Sequence, residues 1–192
     1  MKRRMATLAI VGAMAVAAMA PATVFAADKN NQTTVGYTAG GTPITELDAV
    51  VLVPKNTMFD SIGQNKQGFN VTAKIYDAET SQYVDVSGTN KLEKNIDVSV
   101  LSAGKGLLKT TGSSATLTYS YYKGTDSTEE IDLTQASAQS VGTFVAADGN
   151  GTIVGNLTLD ADQTVAEADY GKVFTDQLTY TFAVGDKTYP SN

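Results

Sequence analysis

Residues 115–122 read ATLTYSYY, and the alternation within them decides the fold class. Ala115, Leu117, Tyr119 and Tyr121 fall on one side of an extended chain, and Thr116, Thr118 and Ser120 on the other. A period of two, enriched in β-branched and aromatic residues, marks a strand with one buried and one wet face. The same period recurs on both sides of this segment. Toward the N-terminus, FNVTAKIY aligns Phe69, Val71, Ala73 and Ile75, and NIDVSVL aligns Ile96, Val98 and Val100. Toward the C-terminus, TIVGNLTL offers Ile153, Leu157 and Leu159, and FTDQLTYTFAVGD offers Leu178, Tyr180, Phe182 and Val184. Shorter segments at QYVDV, EIDL and VGTFVA read the same way, and DAVVLVPKNTMF carries a strand that Pro54 limits or places on an edge.

The punctuation between these runs is consistent with hairpins. SAGKG, YKGTD, ADGNG and AVGDK set Gly beside Asp, Asn or Lys, where tight turns need positive φ. Only DQTVAEADYG has helical composition, and it is too short for more than a turn or two. The expected fold is all-β, an antiparallel β-sandwich of Ig-like, Greek-key type with about 8–10 strands. Parallel α/β architecture fails for want of crossover helices.

The first 26 residues read as a secretory signal peptide. MKRR is a positive n-region, ATLAIVGAMAVAAMA an apolar run, and Val24 and Ala26 suit the −3 and −1 positions of a cleavage site. Residues 27–45 are polar and Gly-rich, a flexible N-terminal arm with one strand-like element at TTVGYT, and the sandwich domain is assigned to residues 46–192. Of 192 residues, 14 are Lys or Arg and 20 are Asp or Glu, for a formal charge of −6. Removing Lys2, Arg3 and Arg4 with the signal moves that charge to −9 and leaves no Arg, His, Cys or Trp.

These absences exclude whole classes of chemistry. Without Cys there is no disulfide, and without His the commonest transition-metal ligand and neutral-pH proton carrier is missing. Without Arg there is no bidentate anion clamp. The negative charge, with no basic cluster, repels nucleic acid and anionic lipid, so neither is an expected partner.

The motifs that remain are sparse. Ser102 and Lys105 match S-x-x-K, but in a Gly-containing turn after a strand, where one-helical-turn geometry does not arise. DGNGTIVGNLTL begins like a calcium loop, then carries Ile153 where that loop needs Gly and Leu159 where it needs Glu. A looser calcium site drawing on Asp148, Asn150, Asp160 or Asp162 is the one cofactor reading left. Glu129 and Glu130, adjacent on a strand, face opposite sides and cannot flank one glycosidic bond. Among nine tyrosines, Tyr119 and Tyr121 share the apolar face of Leu117, whereas Tyr122 points outward and is a candidate binding residue.

A signal peptide, VGYTAGGTPI, a strand ending in VLVPKNTMF, and a Thr-rich sandwich closing with YGKVFTDQLTYTF together resemble small secreted surface proteins of Firmicutes. The pattern is similar to the WxL-type wall-associated domain and to fimbrial subunits. Leu178, Thr179, Tyr180, Thr181 and Phe182 occupy the positions of the distal WxL motif, with Tyr180 where Trp stands, and the proximal motif is absent. The resemblance implies a non-catalytic structural or adhesive protein, secreted and wall-associated, and with no LPxTG-like sorting signal in the sequence a covalent anchor is not expected. It also implies Tyr180 as a second binding residue, and a cell-wall polymer, glycan or surface protein as partner. Self-association through residues 27–45 is a further expectation, by strand addition to a neighbour. An extracellular carbohydrate-binding module is the alternative.

Overall fold

The computed structural model describes residues 33–37, 41–44, 49–53, 56–59, 66–126 and 128–185. Each period-two segment forms a strand. In chain order these are β1 (Thr33–Tyr37), β2 (Gly41–Ile44), β3 (Ala49–Leu52), β4 (Asn56–Phe59), β5 (Gln67–Asp77), β6 (Gln82–Asp85) and β7 (Ile96–Ser102). There follow β8 (Leu107–Lys109), β9 (Thr116–Lys123), β10 (Glu129–Ile131), β11 (Gln139–Phe144), β12 (Thr152–Leu159) and β13 (Phe174–Val184). DQTVAEADYG contributes only a 3₁₀ turn at Glu167–Asp169. The fold is the expected all-β sandwich, and the described residues hold thirteen strands because several are pieces of three or four residues.

One sheet runs β4-β1-β13-β7-β11, and the other carries β9-β12-β5-β3-β2 with β10 beside β9 and β6 beside β5. Successive connections from β10 to β13 pass between the sheets and not along one of them. All described pairings are antiparallel except β1 on β13, which is parallel from Thr33↔Phe174 to Tyr37↔Leu178. Strands β1 and β2 both lie within residues 27–45, so the segment read as a polar arm contributes one strand to each sheet.

Alternation places the core between the sheets. Val51, Val71, Ile96, Val98, Val100, Leu108 and Leu157 are fully buried, and Tyr119 and Tyr121 join them from β9. Phe69 meets Tyr121 edge to face, with ring centroids 5.1 Å apart. Opposite Phe69 stands Gly155, where a Cβ would come within 2.5 Å of the Phe69 ring. Strand β9 stitches the layers together: its first residues pair with β8, beside β13, and Tyr119–Lys123 pair with β12 in the other sheet.

Candidate functional site

Among the described residues a dense buried polar constellation is built where β7 breaks. Strands β7 and β8 follow one line along β13, with Ser102 opposite Leu178 and Lys109 opposite Thr175. Eight residues, Ser102–Lys109, thus span four on the other strand, and the surplus is ejected as the loop 103–106. Lys105 and Gly106 take φ of 57° and 77°, which tightens the loop into successive turns. Asp176 of β13 sits beneath it, 7% exposed.

Every donor around Asp176 is aimed at its carboxylate. Ser102 Oγ donates at 2.5 Å and Tyr119 Oη at 2.6 Å to Oδ2. The backbone N–H groups of Gly104, at 2.6 Å, and Gln177, at 2.7 Å, donate to Oδ1. Gly106 N–H in turn donates to Ser102 Oγ at 2.8 Å. A Cβ on Gly104 would meet Leu107 O at 2.2 Å and Asp176 Oδ1 at 2.8 Å, so only glycine lets the loop lie on the carboxylate. Burial first, then the Asp176 charge, pushes the Tyr119 hydroxyl far above the ordinary tyrosine value. The arrangement of Ser, Asp and Tyr superficially suggests nucleophilic catalysis. Its geometry argues for a clamp instead, because Ser102 is 3% exposed and its hydroxyl is spent between Asp176 and Gly106. Lys105 of the S-x-x-K match is exposed at the loop tip, while Ser102 faces the core.

Sequence reasoning passed over Asp176. The signal was present: Phe174, Asp176, Leu178 and Tyr180 share one face of their segment, and Ile96, Val98, Val100 and Ser102 share one face of theirs. A carboxylate set within one apolar stripe and a hydroxyl ending another, on neighbouring strands, mark a buried polar pair.

The predicted binding residues are scattered. Tyr122 is half-buried on the outer face of the β9 sheet, between Glu130 and Asn156. Tyr180 is half-buried against the core, its hydroxyl 3.5 Å from that of Tyr121. Asp148 and Asn150 precede β12 and Asp160 and Asp162 follow it, so an eight-residue strand separates the two pairs by ~27 Å. Asn150 Oδ1 is occupied by the Thr152 N–H at 3.0 Å. Asp160 is raised above the usual carboxylate range by burial and then by Glu130. The four residues cannot share one ion. Among the described residues no group of three or more Asp, Glu, His or Cys is placed to hold a metal.

Among the described residues an exposed aromatic pair lies where the sequence did not single one out. Tyr76 and Tyr83 face each other across β5 and β6, 43% and 47% exposed, with ring centroids 5.5 Å apart at 67°. Two register steps away, Lys74 pairs with Asp85 at 2.8 Å. Among the described residues no helix is long and apolar enough to cross a membrane. Comparison with family models, with characterised proteins and with solved structures finds no match to this chain, so the site itself carries the functional argument.

Proposed function

We propose that the chain is a secreted, non-catalytic β-sandwich acting at the cell surface as a structural or adhesive component. The observation that carries this reading is the Asp176 clamp. The buried group of Ser102, Asp176 and Tyr119 has its oxygens and hydroxyls committed to holding a strand break closed. A rigid, loop-stapled sandwich with a Thr-rich wet face suits a protein whose work is done by surfaces. The signal-peptide pattern and the likeness to wall-associated and fimbrial domains support the same reading. Its partner class is a cell-wall polymer, a glycan or a surface protein, and no cofactor is assigned. The test uses the mature protein, residues 27–192, offered to whole cells and isolated walls and run on a sizing column. Binding or self-association is expected, and a monomer that does neither overturns the proposal.

A carbohydrate-binding module is the second reading, favoured by one observation. Tyr76 and Tyr83 present ring surface beside a self-neutralised Lys74–Asp85 pair, which suits an uncharged sugar better than an ionic ligand. Replacing either tyrosine by Ala should abolish saturable glycan binding, whereas Tyr122→Ala tests the position expected from sequence. A glycan array with no response to the unmodified protein removes this reading.

A further inference from the structure

We propose that Asn150–Gly151 is a self-modifying site, at which the Gly151 backbone nitrogen closes on the Asn150 side chain and converts it to aspartate and isoaspartate with loss of ammonia. The inference is independent of the surface-component reading, because it needs only the folded chain and water.

The sequence holds a single Asn–Gly pair, and it lies between β11 and β12. Glycine after asparagine leaves the nitrogen between them unshielded by a side chain. Packing fixes glycine at this place. A Cβ on Gly151 would meet Val86 Cβ at 2.6 Å and Ala73 O at 3.0 Å, and one on Gly149 would meet Gly88 N at 2.8 Å. The two glycines press the loop backbone onto residues 86–88 and hold Asn150, which is exposed, between them. Asn150 Oδ1 accepts the Thr152 N–H at 3.0 Å. An oxygen that reaches the N–H two residues on folds its own Cγ back over the intervening nitrogen, here that of Gly151. The same bond polarises the side-chain carbonyl and stands ready for the oxyanion that forms on attack.

The step balances with water alone. Hydroxide takes the Gly151 N–H proton, the nitrogen bonds to Asn150 Cγ, and the Cγ–Nδ2 bond breaks. The departing nitrogen takes a proton from water and leaves as ammonia. Water then opens the succinimide at either carbonyl, giving Asp or isoAsp, and it arrives on the exposed Asn150 side. Other asparagines lack the combination. Asn156 is 2% exposed, with its Nδ2 donating to Gly124 O at 2.9 Å. Asn70, Asn90 and Asn95 precede Val71, Lys91 and Ile96, whose side chains crowd the attacking nitrogen. Both products add a negative charge two residues from Asp148. The isoAsp form also lengthens the backbone by one atom ahead of Gly151, whose carbonyl accepts the Ala73 N–H at 2.8 Å where the β5–β12 ladder begins.

The test incubates the mature protein at physiological temperature and neutral pH, beside a peptide of residues 145–155 that carries the sequence without the fold. A more acidic isoform should accumulate, with the Asn-to-Asp mass difference and an isoaspartate label both mapping to Asn150. Its rate should lie within about tenfold of the peptide's and rise with pH, as removal of the Gly151 proton requires. Asn150→Asp keeps an acceptor for the Thr152 N–H and should co-migrate with the isoform, whereas Asn150→Ala should never form it. Conversion slower than that limit, or none while the peptide converts, overturns the proposal. Conversion to Asp with no isoaspartate overturns it as well, because the ring through Gly151 N is then not on the path.

Discussion

At the scale of single residues, Asp176 is where stability concentrates. Four donors converge on a carboxylate that the core has removed from water. Asp176→Ala strands all four and should cost at least ~3 kcal/mol, read from the midpoint of urea unfolding. Asp176→Asn should cost less, because the Ser102 and Tyr119 hydroxyls can rotate to accept from an amide. Equal losses for the two variants would show that the donors are not what the carboxylate provides. Tyr119 supplies a pH signature. Its folded value lies above the unfolded one near 10, so stability is intact below that pH and falls above it by ~1.4 kcal/mol per unit. Tyr119→Phe should cost ~1.5–3 kcal/mol at neutral pH and flatten the alkaline slope. An unchanged slope between pH 10 and 11 would place the alkaline sensitivity elsewhere. Alternation alone put Asp176 on the core side of β13, and the meaning of that position appeared only once β7 and β8 lay against it. Sequence parity shows which face a side chain occupies, but three of the four donors it meets come from residues more than fifty positions away.

At the scale of elements, close packing is set by small residues at strand crossings. Gly155 faces Phe69 across the β5–β12 pair, and the Phe69 ring is wedged against Tyr121. Gly155→Ala forces that ring to move and should cost ~1–3 kcal/mol, measured as a fall in denaturation midpoint. The 3₁₀ turn is pinned in a comparable way. Lys172 Nζ and Ser113 Oγ donate to Asp169 at 2.6 and 2.8 Å, and these bonds hold its carboxyl below the usual range. The folded value lies below the unfolded one, so its stabilisation is present above the ordinary Asp value and lost as pH falls. Asp169→Asn should therefore flatten the acid limb of the stability profile, and an unchanged limb would remove this pin from the account. Long strands such as β5, β9 and β13 were legible because alternation runs through each of them. Strand β2 was hidden by Gly41 and Pro43, and β8 by its three-residue length, since both owe their conformation to a partner strand. The Tyr76–Tyr83 pair was hidden for a related reason: two tyrosines on separate strands become neighbours only through the hairpin register.

At the scale of the molecule, the two sheets are not separable units. Strand β9 belongs to both, since Thr116–Thr118 pair with β8 and Tyr119–Lys123 with β12. The Asp176 clamp crosses the same boundary, tying β13 and the 103–106 loop to Tyr119. Neither sheet can open without breaking β9 or stranding the carboxylate, and the chain has no disulfide to keep one half folded alone. Unfolding should therefore be a single transition. Hydrogen exchange can follow Val98 and Val100 in one sheet and Val71 and Ala73 in the other, all fully buried. Their amides should share one opening free energy and one dependence on urea. Two resolved midpoints would mean that the stitch through β9 is weaker than its pairing implies. A single midpoint that splits only in Asp176→Ala would place the coupling in the clamp. That outcome would make the buried carboxylate the element that turns two stacked sheets into one cooperative body.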